Sequence, residues 1–133
     1  MIQSYKDLIV WQKAMQMTEM VYSMVKKLPK EETYALSDQM RRAAVSIPSN
    51  IAEGYGRNSK KEYIQFLSIA KGSGYELETQ MILTIRIGYV TEQEILPIMN
   101  LLTEIGKIIN SMISKLKTNP KSLTPNPTPT PAP

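Results

Sequence analysis

Ile95, Ile98, Leu102, Ile105, Ile109, Met112 and Leu116 follow one another at alternating intervals of three and four residues without a miss. Side chains on a β-strand change face at every second residue, so only an α-helix gathers such a row onto one side. The chain has to bury that row. Thr91 followed by Glu94 has the spacing of a capping box and sets the start of this helix, with Pro97 tolerable in its early turns.

The same period runs back through the sequence. Ser59 and Glu62 form a second capping box, opening a helix that Gly88 closes after about Ile87. At 1.5 Å per residue it is about 43 Å long. A further helix is expected from about Thr33 to Tyr55, with Gly54 and Gly56 able to take left-handed geometry at its end. Pro29 and the charged residues after it end the first helix. No segment alternates like a strand between hairpin signals. The expected fold is all-α, an antiparallel up-and-down four-helix bundle over residues 1–118. Six of the nine prolines fall in "PKSLTPNPTPTPAP", so residues 119–133 read as a disordered or extended proline-rich tail.

The first helix carries two apolar stripes. Leu8, Trp11, Met15, Tyr22 and Val25 form one, interrupted by Thr18; Val10, Ala14, Met17, Val21, Met24 and Leu28 form the other, on roughly the opposite side. A bundle of this size buries one side of each helix, so one stripe is expected inside the subunit and the other against a second copy. The Trp11 side is assigned inward, and the Val10–Leu28 stripe is the candidate oligomer interface.

"RRAAVSIPSNIAEGYGR", residues 41–57, sets a proline inside the second helix. Pro48 cannot donate to the carbonyl of Ala44, a defect of about 3 kcal/mol unless other groups compensate. Ser46, Ser49 and Asn50 offer hydrogen bonds, and Asn50 with Glu53 echoes a capping box. Ala43, Ala44, Ala52 and Gly54 on one helix, and Ala70, Gly72, Ser73 and Gly74 on the next, suggest a kink at Pro48 and a close helix–helix contact. Arg41 and Arg42 are expected to pair with Glu76 or Glu78 across it.

The formal charge of +4 admits an acidic partner without requiring one. Arg57, Lys60 and Lys61 cluster at the turn between the second and third helices, beside a helix N-terminus that could attract phosphate. Lys26, Lys27 and Lys30 form a second cluster at the other end of the bundle. These six are the candidate nucleic-acid contacts. Catalysis finds no support. The chain has no His and no Cys, which removes the usual acid–base group, thiolate nucleophiles and most metal sites, so no catalytic, metal or cofactor residue is assigned. Glu76 and Glu78 lie about 200° apart on a helix, and no strand precedes "GSGYE". No apolar run is long enough for a membrane span and the N-terminus lacks the order of a secretory signal, so a cytoplasmic protein is expected.

"DLIVWQKA" at 7–14, "RRAAVSIPSNIAEGYGR" at 41–57 and "AKGSGYELETQ" at 70–80 resemble, in order, the motifs of the four-helix-bundle proteins encoded by 23S rRNA intervening sequences, also labelled S23 ribosomal protein. That family is similar to the accessory variability determinant of diversity-generating retroelements. The resemblance covers about residues 3–117. It implies an antiparallel bundle assembled as a homopentamer, with a basic surface for RNA or DNA and, in the retroelement relatives, a reverse transcriptase partner. Two functions are therefore carried forward: an oligomeric bundle that binds structured RNA or DNA, and a protein-interaction scaffold that docks a partner without binding nucleic acid itself.

Overall fold

The structure is a computed structural model that describes residues 1–118; the tail assigned to 119–133 lies outside them. Four helices follow in order: α1 (Ile9–Val25), α2 (Leu36–Tyr55), α3 (Lys60–Ile87) and α4 (Glu92–Thr118), with short 3-10 turns at Tyr5–Asp7 and Lys30–Glu32. No strand occurs among the described residues, and none of their helices is long and apolar enough to cross a membrane.

Cross-helix pairs fix an antiparallel arrangement. Lys13 meets Glu104 at 2.9 Å and Lys27 meets Glu94 at 3.1 Å, so α4 runs back along α1. The hydroxyls of Ser46 and Ser73 lie 2.7 Å apart across α2 and α3, and Lys71 donates to Asn110 at 2.9 Å across α3 and α4. One end of the bundle therefore gathers the start of α1, the α2–α3 turn and the end of α4. The other gathers the end of α1, the start of α2 and the α3–α4 turn.

The caps act as their sequences dictate. Ser59 accepts from the Glu62 amide at 3.1 Å. Thr91 and Glu94 complete a reciprocal box, with side-chain-to-amide distances of 3.2 and 2.8 Å. Gly88 stops α3 at φ +96°, where a β-carbon would be strained. A third box, Ser4 with Asp7, steadies the turn before α1. The α2 boundary differs from expectation, since Lys30–Glu32 form a 3-10 turn and α2 starts only at Leu36. Its C-cap, Gly56, stays right-handed at φ −81°, and Gly54 lies inside the helix.

The stripe of α1 assigned outward from the sequence is buried, and of the stripe assigned inward Val25 is buried, Leu8 and Trp11 are half-buried and Met15 and Tyr22 are exposed. Val10, Ala14, Met17, Val21, Met24 and Leu28 form part of the core of a single chain, with Met17 and Val21 0% exposed. They cannot be an interface between copies. They pack with Met40, Ile47, Ile51, Leu67, Leu77, Met81, Ile95, Ile105 and Ile109, and each large side chain so buried contributes about 1.5–3 kcal/mol. Met15 and Tyr22 are exposed over the seam between α1 and α2, and Trp11 stands half-buried beside them. The physical reason lies in their tips. Indole and phenol side chains keep a polar group that a wet boundary satisfies, whereas the aliphatic stripe has none.

Pro48 sits buried in the middle of α2, which stays helical from Leu36 to Tyr55. The carbonyl it leaves without an amide, Ala44 O, is approached at 3.2 Å by Thr18 Oγ1 from α1; the same hydroxyl lies 2.8 Å from Ala14 O. Thr18, the gap in the Trp11 stripe, thus supplies the donor that the proline removed. Asn50 Nδ2 donates to Ser46 O at 2.7 Å and to Ser46 Oγ at 2.9 Å, tying the next turn to the Ser46–Ser73 bridge.

The close approach of α2 and α3 occurs at Gly54. A β-carbon there would lie 2.8 Å from Phe66 Cβ and 3.1 Å from Tyr63 Cδ1. Gly72 and Gly74 do not serve this contact. Nothing lies within 4 Å of a β-carbon at Gly72, and Gly74 faces Leu102 of α4 at 3.5 Å. Nor do the arginines reach α3: Arg42 pairs with Asp38 at 2.9 Å along its own helix, and Arg41 donates to Thr33 O at 3.1 Å. Glu76 is exposed and approached by Gln80 Nε2 at 3.5 Å. The short i,i+4 reach to Asp38 fixes less side-chain freedom than a reach across helices would.

Candidate nucleic-acid interface

The α2–α3 turn holds its basic residues in three different ways. Arg57 donates to Glu53 Oε2 at 2.8 Å, and its guanidinium lies 4.7 Å from the centre of the Phe66 ring. Pairing and stacking fix its plane while leaving its edge partly exposed. Lys61 extends into solvent. Lys60 does not: it is 7% exposed, and burial pushes its ammonium below the ordinary lysine value. Lys60 is therefore removed from the set of phosphate contacts.

The α3 N-terminus is already served. Ser59 takes the Glu62 amide, and the Glu62 carboxylate lies in the first turn. A phosphate would meet an occupied cap and a like charge, so the side-chain cations carry any attraction here. Beneath the turn, Tyr55 and Tyr63 meet edge to face at 6.2 Å. Tyr63 is buried, and burial pushes its phenol well above the ordinary tyrosine value, so it stays neutral. These rings support the turn and are not laid out for base stacking.

Chain topology adds cations that lie far away in the sequence. Lys6 precedes α1, and Lys115 and Lys117 occupy the last turn of α4, all at the end that holds Arg57 and Lys61. Against them stand Asp7, Glu53 and Glu62. Glu53 is engaged by Arg57, and Asp7 accepts from the Gln3 and Ser4 amides at 2.8 and 3.2 Å, which hold its carboxyl below the usual aspartate range.

The opposite end is nearly balanced. Lys26, Lys27 and Lys30 are exposed there, but Lys27 is paired with Glu94. The Thr91 amide and Lys27 hold the Glu94 carboxyl below its ordinary value. Glu31, Glu32 and Glu92 share this end, and Glu32 accepts from the Tyr89 hydroxyl at 2.7 Å, which raises the Tyr89 phenol. The two basic clusters are thus separated by the length of the bundle; Arg86, in the last turn of α3, joins the second, and the larger excess of positive charge lies at the end that holds the α2–α3 turn. Sequence reading missed Lys6, Lys115 and Lys117 because only the antiparallel return of α4 places them beside the α2–α3 turn.

The fold and motifs have counterparts. A solved structure of a protein of unknown function from the S23 ribosomal protein family of Bacteroides thetaiotaomicron superposes with a TM-score of 0.74 at 31% identity, covering 79% of this chain and 98% of that one. No curated protein matches. The family model described as 23S rRNA-intervening sequence protein matches residues 6–111, from just before α1 to near the end of α4. The chain belongs to the 23S rRNA-intervening sequence protein family.

Proposed function

We propose that this protein is a non-enzymatic, homo-oligomeric helical bundle of the cytoplasm that holds structured RNA or DNA by its phosphates. The observation that supports this reading is the gathering of Lys6, Arg57, Lys61 and Lys117 at one end of the bundle. Contacts of this kind bring affinity with little base preference, and that affinity falls steeply with salt. Assembly multiplies the effect, since a closed ring repeats one basic end as a continuous band.

With the Val10–Leu28 stripe buried, the assembly surface moves. Ile69, Leu83 and Ile87 stand exposed along α3 with Gly72 and the exposed Glu76 between them, a partly apolar row for a second copy to cover. The five-subunit count rests on the family resemblance alone. Family membership makes a hairpin of ribosomal RNA the first probe to use.

Titration of the purified protein with such a hairpin, at low and at about 0.2 M salt, is expected to show a complex that weakens sharply across that range. No complex at low salt would sink the reading. It would favour the alternative, a scaffold that docks a partner such as a reverse transcriptase without touching nucleic acid. A particle of 15.1 kDa in light scattering would refute the assembly.

A further inference from the structure

Where α1 ends and α2 begins, the chain leaves an open cleft of about 430 Å³. Its polar lining is Tyr22, Lys26, Lys30, Thr33, Ser37 and Arg41, over a floor of buried Val25 and Leu28. Every one of those polar side chains can donate a hydrogen bond, three are cations, and none is a carboxylate. Ser37 and Arg41 lie one turn apart on the same face of α2, and Tyr22 and Lys26 are spaced likewise across the end of α1.

Ser37 is the sharpest sign. It is 3% exposed, yet its hydroxyl makes no hydrogen bond with another described residue. The carbonyl one turn back, Thr33 O, to which a helical serine often donates, accepts instead from Arg41 Nη2 at 3.1 Å. A buried hydroxyl without a partner is a cost that alanine would avoid, so a serine here points to a group that it binds. The same bond anchors one nitrogen of Arg41 and leaves Nε and Nη1 to donate. The acids of this end are engaged elsewhere: Asp38 with Arg42, Glu94 with Lys27, and Glu32 with the Tyr89 hydroxyl and the Leu36 amide. Glu31 and Glu92 are exposed and do not line the cleft.

We propose that this cleft binds a small phosphate monoester, with Ser37 and Arg41 on the phosphate and the organic part over the Tyr22 ring. A phosphate dianion presents three terminal oxygens, enough to engage the guanidinium, the ammonium groups and the hydroxyls together, whereas a carboxylate presents two oxygens and one charge. The apolar floor lowers the local dielectric and strengthens the attraction. Tyr22 also lines the adjoining hollow with Val45 and the groove with Trp11, a surface on which a flat apolar body can lie. An internucleotide phosphate has one charge, two free oxygens and a sugar on each side, so this inference is independent of nucleic-acid binding, which uses the other end of the bundle.

Phenyl phosphate is the probe, titrated into the full chain at about 0.15 M salt by calorimetry and phosphorus NMR. It is expected to bind saturably, one per chain, and methyl phenyl phosphate, with one charge fewer, to bind about tenfold more weakly. Arg41→Lys keeps the charge but loses the planar fork, and should weaken the probe about tenfold. Ser37→Ala separates ligand from scaffold. It removes an unpaired hydroxyl from the free protein, so Tm should rise by about 4 °C while the probe binds about tenfold more weakly. No saturable binding up to about 10 mM would overturn the proposal. So would a Ser37→Ala chain that melts lower with its affinity unchanged, since the hydroxyl would then serve the fold alone. An oligonucleotide with a terminal phosphate that displaces the probe, where its hydroxyl-ended form does not, would overturn the small-molecule assignment and give the cleft to strand ends.

Discussion

The hydroxyl that answers Pro48 can be removed almost without changing shape. Thr18→Val keeps the β-branched outline of the side chain and deletes the hydroxyl that approaches Ala44 O. A backbone carbonyl left unmatched in a partly buried seam costs about 1–3 kcal/mol. Here the hydroxyl proton is shared between Ala44 O at 3.2 Å and Ala14 O at 2.8 Å, so the lower end of that range applies. A loss of about 1 kcal/mol lowers Tm by roughly 4 °C in a domain of this size.

Restoring the missing amide tests the cause. In a Pro48→Ala background the backbone N–H at position 48 bonds Ala44 O, and Thr18→Val should then cost little. Urea unfolding of the four proteins, followed at 222 nm with unchanged m-values, is expected to give a coupling energy of about 1 kcal/mol. Additive effects, with coupling below about 0.3 kcal/mol, would refute the reasoning. In that case the Thr18–Ala44 approach would be incidental to the proline.

Other substitutions separate packing from propensity. Gly54→Ala places a methyl group 2.8 Å from Phe66 Cβ and is expected to destabilise by about 1–3 kcal/mol despite alanine's better helix propensity. Gly72→Ala meets nothing within 4 Å and should stabilise by up to about 1 kcal/mol; thermal melts distinguish the two. Val21→Asp buries an unpaired carboxylate in the core, so circular dichroism should show the helices lost and not merely an assembly dispersed. Glu94 has a lowered folded-state value, so its contribution to stability is present above its ordinary value of 4.5 and is lost as the pH falls through the folded value. An NMR pH titration should place its midpoint below 4.5, and Lys27→Ala should move that midpoint upward.

Much of the fold could be read from local chemistry. Ser59–Glu62, Thr91–Glu94 and Gly88 place helix ends within a few residues, because caps act through neighbouring backbone groups. The orientation of α1 was harder. Both its stripes are apolar, and periodicity cannot say which side meets the core. The polar tips of Trp11 and Tyr22, with Thr18 between them, were the available signal, against an opposite stripe with no polar atom. The Arg57–Lys61 turn was visible as a local cluster, yet the burial of Lys60 and the arrival of Lys6 and Lys117 depend on packing and topology. The Thr18–Ala44 bond joins residues on different helices and has no local signature.

The basic end can be set against the balanced end in one titration. Binding of a ribosomal RNA hairpin is measured by anisotropy over a range of salt for the wild-type chain, an Arg57→Gln/Lys61→Gln/Lys117→Gln variant, and a Lys26→Gln/Lys30→Gln variant. Every cation–phosphate pairing that a substitution removes should reduce the slope of log K against log salt by about 0.7–0.9. The first variant is expected to bind more weakly with a flatter slope, while the second keeps the wild-type slope. A flattened slope in the second variant, with the first unchanged, would place the nucleic acid at the wrong end of the bundle and contradict the reading.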